Sequence, residues 1–154
     1  MNKLDKTDRA ILRALETDAR LSFSDLADTA GITKTPCWAR VRALEKSGVL
    51  RGYRAEIDPA TLGLELHAFV QVTLDGRRHS EFEAAVARHR SILECHATTG
   101  QGDYLLHVLV AGITALDGFL RNEISRMPGV QRLHTTVGTK VIKSRSSILD
   151  CAGV

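Results

Sequence analysis

Residues 23–48, reading FSDLADTAGITKTPCWARVRALEKSG, place a short helix, a glycine turn and a basic second helix one after another with no spare residues between them. That order constrains the chain to two helices crossing steeply through a tight corner, the helix-turn-helix. In the first helix, Ser24 to Ala30, the residues Leu26, Ala27 and Ala30 form one apolar stripe, and Gly31 supplies the turn. Ile32 fills the corner. Thr33 or Thr35 is placed to accept a hydrogen bond from the free amides of the second helix, and Pro36 falls in its first turn, where a missing N–H costs nothing.

At 100° per residue the second helix separates its faces by chemistry. Cys37, Val41 and Leu44 converge on a core-facing side, while Thr35, Ala39, Arg42 and Lys46 converge on the other with Trp38 at the flank. An exposed helix with arginine, threonine and small residues suits a DNA major groove, where arginine reads guanine and a methyl-bearing side chain meets thymine. The candidate DNA contacts are Thr33, Lys34, Thr35, Trp38, Arg40, Arg42 and Lys46. Of these, Thr35 and Arg42 are assigned to bases, Lys34, Arg40 and Lys46 to phosphates, and Trp38 to the groove or to a neighbouring side chain.

Charge agrees with that placement. The net charge of +3 hides a split at Arg54, with 11 bases and 7 acids up to that point and 10 bases and 11 acids beyond it. Within residues 34–54 six bases face the single acid Glu45, the electrostatic footprint of a polyanion partner met by one end of the molecule. No long apolar run opens the chain, so no signal peptide or membrane span is expected and the expected location is the cytoplasm. Three widely spaced cysteines, Cys37, Cys95 and Cys151, fit reduced thiols rather than a disulfide framework or a zinc site.

Before the helix-turn-helix, Leu4 to Thr17 reads as an amphipathic helix capped by Asp5 or Thr7. After Gly48, VLRGYRAEID alternates and contains a glycine, which predicts a short wing or linker strand ending at Asp58-Pro59. A boundary follows near residues 57–64, dividing the chain into 1–56 and 57–154. The second part carries a strand, helix, strand pattern twice: Leu66 to Leu74, Ser80 to His89 and Ile92 to Thr98, then Tyr104 to Val110, Thr114 to Met127 and Val130 to Val137. The expected fold class is therefore α+β, a winged helix-turn-helix domain followed by a ferredoxin-like βαββαβ domain. Both helices would cover one sheet face, leaving the other to Gln71, Glu94, His96, Thr98, His107 and His134; such an open, half-polar face predicts a homodimer.

At this point the chain resembles the Lrp/AsnC (feast/famine) transcription regulators over nearly its whole length. The segments LDKTDRAILRALETDAR, DLADTAGITKTPCWARVRALEKSGVLRGYRAEIDP, TGQGDYLLHVLV and MPGV follow one another in that family's order. The resemblance implies a DNA-binding domain, a ferredoxin-like ligand-sensing domain, dimers that often assemble into octamers or hexadecamers, and an amino acid or related metabolite as effector. It places the effector at the loop between the second and third strands, at an interface between dimers. An amino acid presents a carboxylate and an ammonium, so its site needs clustered N–H groups and an acidic or carbonyl oxygen. Gly100, Gln101, Gly102, Asp103 and Tyr104 offer both, with Thr98, Thr99, Leu133 and Thr135 as further wall candidates. Family members often carry a bulkier residue at the position of Gly102, a departure that bears on the size of the pocket.

No catalytic constellation is expected. Cys95 and His96 are adjacent in a strand and point to opposite faces, no histidine pair has metal-ligand spacing, and no P-loop or dinucleotide loop appears, so neither a metal nor a cofactor is expected. Some proteins of this two-domain architecture act as sirohaem decarboxylases. The bases retained on the second helix speak against that alternative.

Overall fold

The computed structural model describes residues 4–144 and 146–153 and divides into two compact units, residues 1–56 together with 143–154, and residues 57–142.

The first unit is built on three helices, α1 (Lys6–Thr17), α2 (Phe23–Ala30) and α3 (Lys34–Lys46). Asp5 starts α1 through a reciprocal capping box with Asp8, and Ser22 starts α2 by accepting from the Asp25 amide at 3.2 Å. Helix α2 therefore begins one residue before the position read from the sequence. Gly31 ends it in the left-handed region at φ 67°, and the Ile32 amide then donates to the Ala27 carbonyl at 3.0 Å; this is the turn that a residue with a Cβ would strain. Ile11, Leu12 and Leu15 of α1, Leu26 and Ala27 of α2, and Cys37, Val41 and Leu44 of α3 close one core.

Two features of this unit differ from expectation. Residues 49–58 form no strand: among the described residues nothing pairs beside them, so their alternation has no ladder to join and the segment stays extended and largely exposed. The C-terminal residues also pack here rather than with the sheet. A short helix α6 (Ile148–Cys151) buries Leu149 in the helical core, Arg13 meets Asp150 at 2.7 Å, and the Ile148 amide donates to Glu16 at 2.9 Å. One buried apolar side chain and these polar contacts with α1 hold the tail on the first unit.

The second unit is a four-stranded antiparallel sheet in the order β2-β3-β1-β4, formed by β1 (Leu66–Leu74), β2 (Ile92–Ala97), β3 (Tyr104–Val110) and β4 (Val130–Gly138). The helices α4 (His79–Ala87) and α5 (Ile113–Asn122) cover one face, which is the ferredoxin-like arrangement expected from the sequence. Phe82 and Val86 from α4, and Leu116 and Phe119 from α5, meet Ala68, Val70, Val72, Leu106, Val108 and Val110 in a second core. Burying a side chain such as Phe82 contributes about 2 to 3 kcal/mol. Helix α5 is shorter than its periodicity suggests and continues as a 3₁₀ turn, Ile124–Arg126, before Met127 turns extended at ψ 152° ahead of Pro128. A residue preceding proline is pushed out of the helical region, which accounts for the extended Met127 that closes the 3₁₀ turn.

Replacing Leu149 by alanine should lower the stability of the first unit by about 2 kcal/mol. Trp38, the chain's single tryptophan, lies in that unit. Denaturant unfolding followed by its fluorescence measures the change; an unaltered midpoint would show that the C-terminal helix does not share the core.

Candidate functional site

The buried face of α3 sets the direction of its exposed one. Cys37, Val41 and Leu44 lie in the core with at most 5% exposure, so Thr35, Ala39, Arg42 and Lys46 are turned into solvent. Pro36 sits in the first turn as expected. Thr33 occupies the N-cap position, yet no side-chain hydrogen bond caps the helix there, so neither threonine serves as the cap anticipated from the sequence. Arg42 is held from two sides: its guanidinium reaches Glu45 at 3.3 Å and lies 5.6 Å from the centre of the Trp38 ring. The hydroxyl of Tyr53 donates to the same Glu45 at 3.0 Å. The lone acid of this basic stretch thus works as an anchor for Arg42 and for the segment that follows the helix.

Arg40 differs from its neighbours. Its guanidinium donates to Asp5 at 2.7 Å and to Asp8 at 2.8 Å, the two carboxylates of the α1 capping box. It fastens α3 to the start of α1 and is not presented with Arg42. Helical geometry alone contains the signal, since two residues of separation put Arg40 about 160° away from Arg42 around the axis. A count of bases in the window does not register that angle.

The loop from β2 to β3 is laced to the end of β1. The Thr98 amide donates to the Asp103 carbonyl at 2.8 Å, the Thr98 hydroxyl to the Gly102 carbonyl at 2.7 Å, and the Asp103 amide to the Val72 carbonyl at 2.9 Å. The Leu74 amide donates to the Asp103 carboxylate at 2.7 Å. Gly102 is buried where a Cβ would stand 3.3 Å from the Val72 carbonyl oxygen and 3.4 Å from the Gln71 Cβ, so its smallness lets the loop close on β1. Thr98, Gly100 and Gln101 remain exposed at the tip and Asp103 is half-buried.

Tyr104 does not join them. Its ring is buried against Phe82 with centroids 4.9 Å apart, and its hydroxyl donates to Glu83 at 2.6 Å while lying 3.1 Å from His79 Nδ1. Burial, reinforced by the hydrogen bond to the Glu83 carboxylate, pushes its pKa up to about 12. Tyr104 therefore anchors the loop to α4 from the helix side of the sheet, where the alternation of β3 places it. Leu133 and Thr135 are separate again. They line an open hollow of about 590 Å³ with Leu120, Arg121 and Arg126, and none of the loop residues borders it.

The open sheet face carries the polar mixture read from the sequence. Register sets Glu94 against His107, His96 against Leu105, and Gln71 between Leu105 and His134. His67 Nδ1 and His107 Nε2 lie 3.0 Å apart, and Phe69 stacks on His107 with ring centres 4.9 Å apart. Burial, and after it the neighbouring His67, holds the His107 pKa below its usual value. Cys95 pairs with Leu106 on the opposite face, and burial pushes both its thiol and that of Cys37 up, keeping them protonated rather than nucleophilic. Among the described residues no group of three or more His, Cys, Asp or Glu side chains is placed to hold a metal ion, and no helix is long and apolar enough to cross a membrane.

Comparison with known proteins adds a consistent picture. Residues 4–45 match the AsnC-type helix-turn-helix domain, and residues 67–148 match the Lrp/AsnC ligand binding domain. The Bkd operon transcriptional regulator of Pseudomonas aeruginosa is 36% identical over 150 residues, spanning 96% of this chain and 98% of its own. The leucine-responsive regulatory protein of Escherichia coli K12 is 36% identical over 149 residues, spanning 95% of this chain and 91% of its own. Among solved structures, a Neisseria meningitidis transcriptional regulator in complex with L-Met superimposes with a TM-score of 0.93 at 31% identity, covering 97% of this chain and 99% of that one.

Two expected outcomes follow from the geometry. Asp103→Ala leaves the Leu74 amide without its partner and should cost the sheet unit about 1 to 2 kcal/mol in thermal or denaturant unfolding, whereas Asp103→Asn retains an acceptor and should recover most of that loss. The Asp8 amide first, and then Arg40, holds the Asp5 carboxyl below its ordinary value of 3.8. The stabilisation is therefore present above that value and is lost as pH falls through the lower, folded-state pKa. Unfolding midpoints between pH 6 and pH 2 should fall less steeply in Asp5→Asn than in the unmodified protein.

Proposed function

Because this chain belongs to the Lrp/AsnC family of transcriptional regulators, we propose that it works as a dimer that sets two copies of α3 into successive major grooves and changes its assembly or DNA affinity when a small metabolite binds. The observation that carries this reading is the division of α3, with Cys37, Val41 and Leu44 sealed in the core and Thr35, Arg42 and Lys46 displayed together outside. Arg42 and Thr35 face base edges, with Arg42 suited to guanine O6 and N7; Lys34 and Lys46 face phosphates. Arg40 acts indirectly in this scheme, by holding the recognition helix on α1.

The half-polar face of the sheet is the dimer surface, where a second copy covers Phe69, Leu105 and the histidine pair. Two-fold pairing then calls for an imperfectly palindromic operator with half-sites about one or two helical turns apart. The effector is an amino acid or a related metabolite held at the exposed tip Thr98, Gly100 and Gln101 together with Asp103. Backbone amides receive its carboxylate and Asp103 its ammonium. The Neisseria regulator with L-Met bound supports that ligand class. Its binding regulates only in so far as it favours one assembly over another. Dimers grouped as octamers would bring such loops together between dimers.

Arg42→Ala should weaken binding to selected duplexes by about 1 to 3 kcal/mol and relax sequence preference. An equal loss on selected and random duplexes, read by fluorescence anisotropy, would reassign Arg42 to the phosphates. For the effector, a thermal-shift screen of the amino acids identifies the ligand. Asp103→Asn, which keeps the fold's acceptor but loses the charge, should weaken that ligand at least about tenfold, the scale of one charge-assisted hydrogen bond. An unchanged response removes Asp103 from the ammonium role.

A further inference from the structure

The cations of α3 account for phosphate attraction and for guanine, yet the N-terminal end of the same face is apolar. Trp38 is 49% exposed there. With Phe23 from the first turn of α2, and Lys34 and Thr35 from the first turn of α3, it lines a shallow hollow of about 220 Å³. The walls are an indole, a phenyl ring, a threonine carrying a methyl and a lysine whose hydrocarbon stem precedes its charge. Cations stand beside it: Lys34 is one of the lining residues, and the Arg42 guanidinium lies against the indole at 5.6 Å from the ring centre.

A shallow apolar hollow with cations beside it, next to side chains suited to base edges, asks for a small apolar group carried on a polyanion. In the major groove that group is the thymine C5-methyl, the one hydrocarbon substituent among the base edges. Arg42 beside the hollow suits a neighbouring guanine, so indole and guanidinium would read adjacent steps as one unit. We infer that the hollow formed by Phe23, Lys34, Thr35 and Trp38 is a thymine-reading subsite, giving each half-site one position where the methyl group itself is required. This rests on the placement of α3 in the major groove proposed above. It adds a specificity that hydrogen-bond donors and phosphate contacts do not supply, because removing the methyl leaves base pairing and charge unchanged.

The test uses the full-length protein and duplexes it enriches from a random library. Each thymine in an enriched duplex is replaced in turn by deoxyuridine, which deletes only the methyl, and affinity is read by fluorescence anisotropy. One position per half-site should lose about four- to tenfold, the scale of one buried methyl group plus its contacts, with the other positions under about twofold. In Trp38→Ala the thymine-to-uracil ratio at that position should collapse to below about twofold, and Thr35→Ser, which trims one wall methyl, should reduce it partially. Arg42→Ala should bind more weakly overall but keep the ratio. Uniformly neutral uracils, or an undiminished penalty in both Trp38→Ala and Thr35→Ser, would overturn the subsite while leaving DNA binding standing. Failure to enrich any sequence would instead remove the DNA-binding premise, and the subsite with it.

Discussion

The burial of one side of α3 against α1 and α2 is the constraint on which the first unit depends. Cys37, Val41 and Leu44 occupy the core almost without exposure, and a helix pinned along one stripe has no rotational freedom left. Every outward residue then has a set direction. Thr35, Arg42 and Lys46 owe their common face to residues that touch no ligand. Gly31 matters for the same reason, since its left-handed backbone sets where α3 begins relative to α2. Arg40 adds a polar clamp from the other flank by joining both carboxylates of the α1 cap.

The sheet unit applies the same logic with a period of two. Tyr104, Leu106, Val108 and Val110 alternate into the core, so the neighbouring positions of β3 fall on the open face. The loop before β3 inherits its position from this anchoring. On one side Tyr104 ties it to Glu83 of α4, and on the other Asp103 receives the Leu74 amide. Gly102 allows the approach because any Cβ there would press on the Val72 carbonyl.

Much of this was legible in the sequence because it depends on local periodicity. Apolar spacing gave the helices α1 to α3, the four strands and the two-layer character of the second unit, with most end positions displaced by a residue or two and α5 ending five residues early. The charge split located the cationic end. Two of the differences concern partners distant in the chain, and a third concerns strand parity. The alternation of residues 49–58 suggests a strand, but a strand exists only beside another, and none adjoins it among the described residues. The base count groups Arg40 with its basic neighbours and does not register its partners Asp5 and Asp8, about thirty-two to thirty-five residues away. Tyr104 sat within a motif that looked like a binding loop, although its strand parity turned it inward.

What the sequence by itself determined is the set of elements, their order, the faces that each had to bury and the family to which the chain belongs, because hydrophobic periodicity, turn residues and caps act within a few positions along the chain. What only the tertiary structure decided is the use of individual polar groups: which base pairs with the carboxylates of α1 and which is turned into solvent, which loop residue braces and which is displayed, and to which unit the C-terminal helix belongs. Those outcomes rest on hydrogen bonds and ion pairs that hold only over a few ångströms, and such distances between remote residues are set when the cores close.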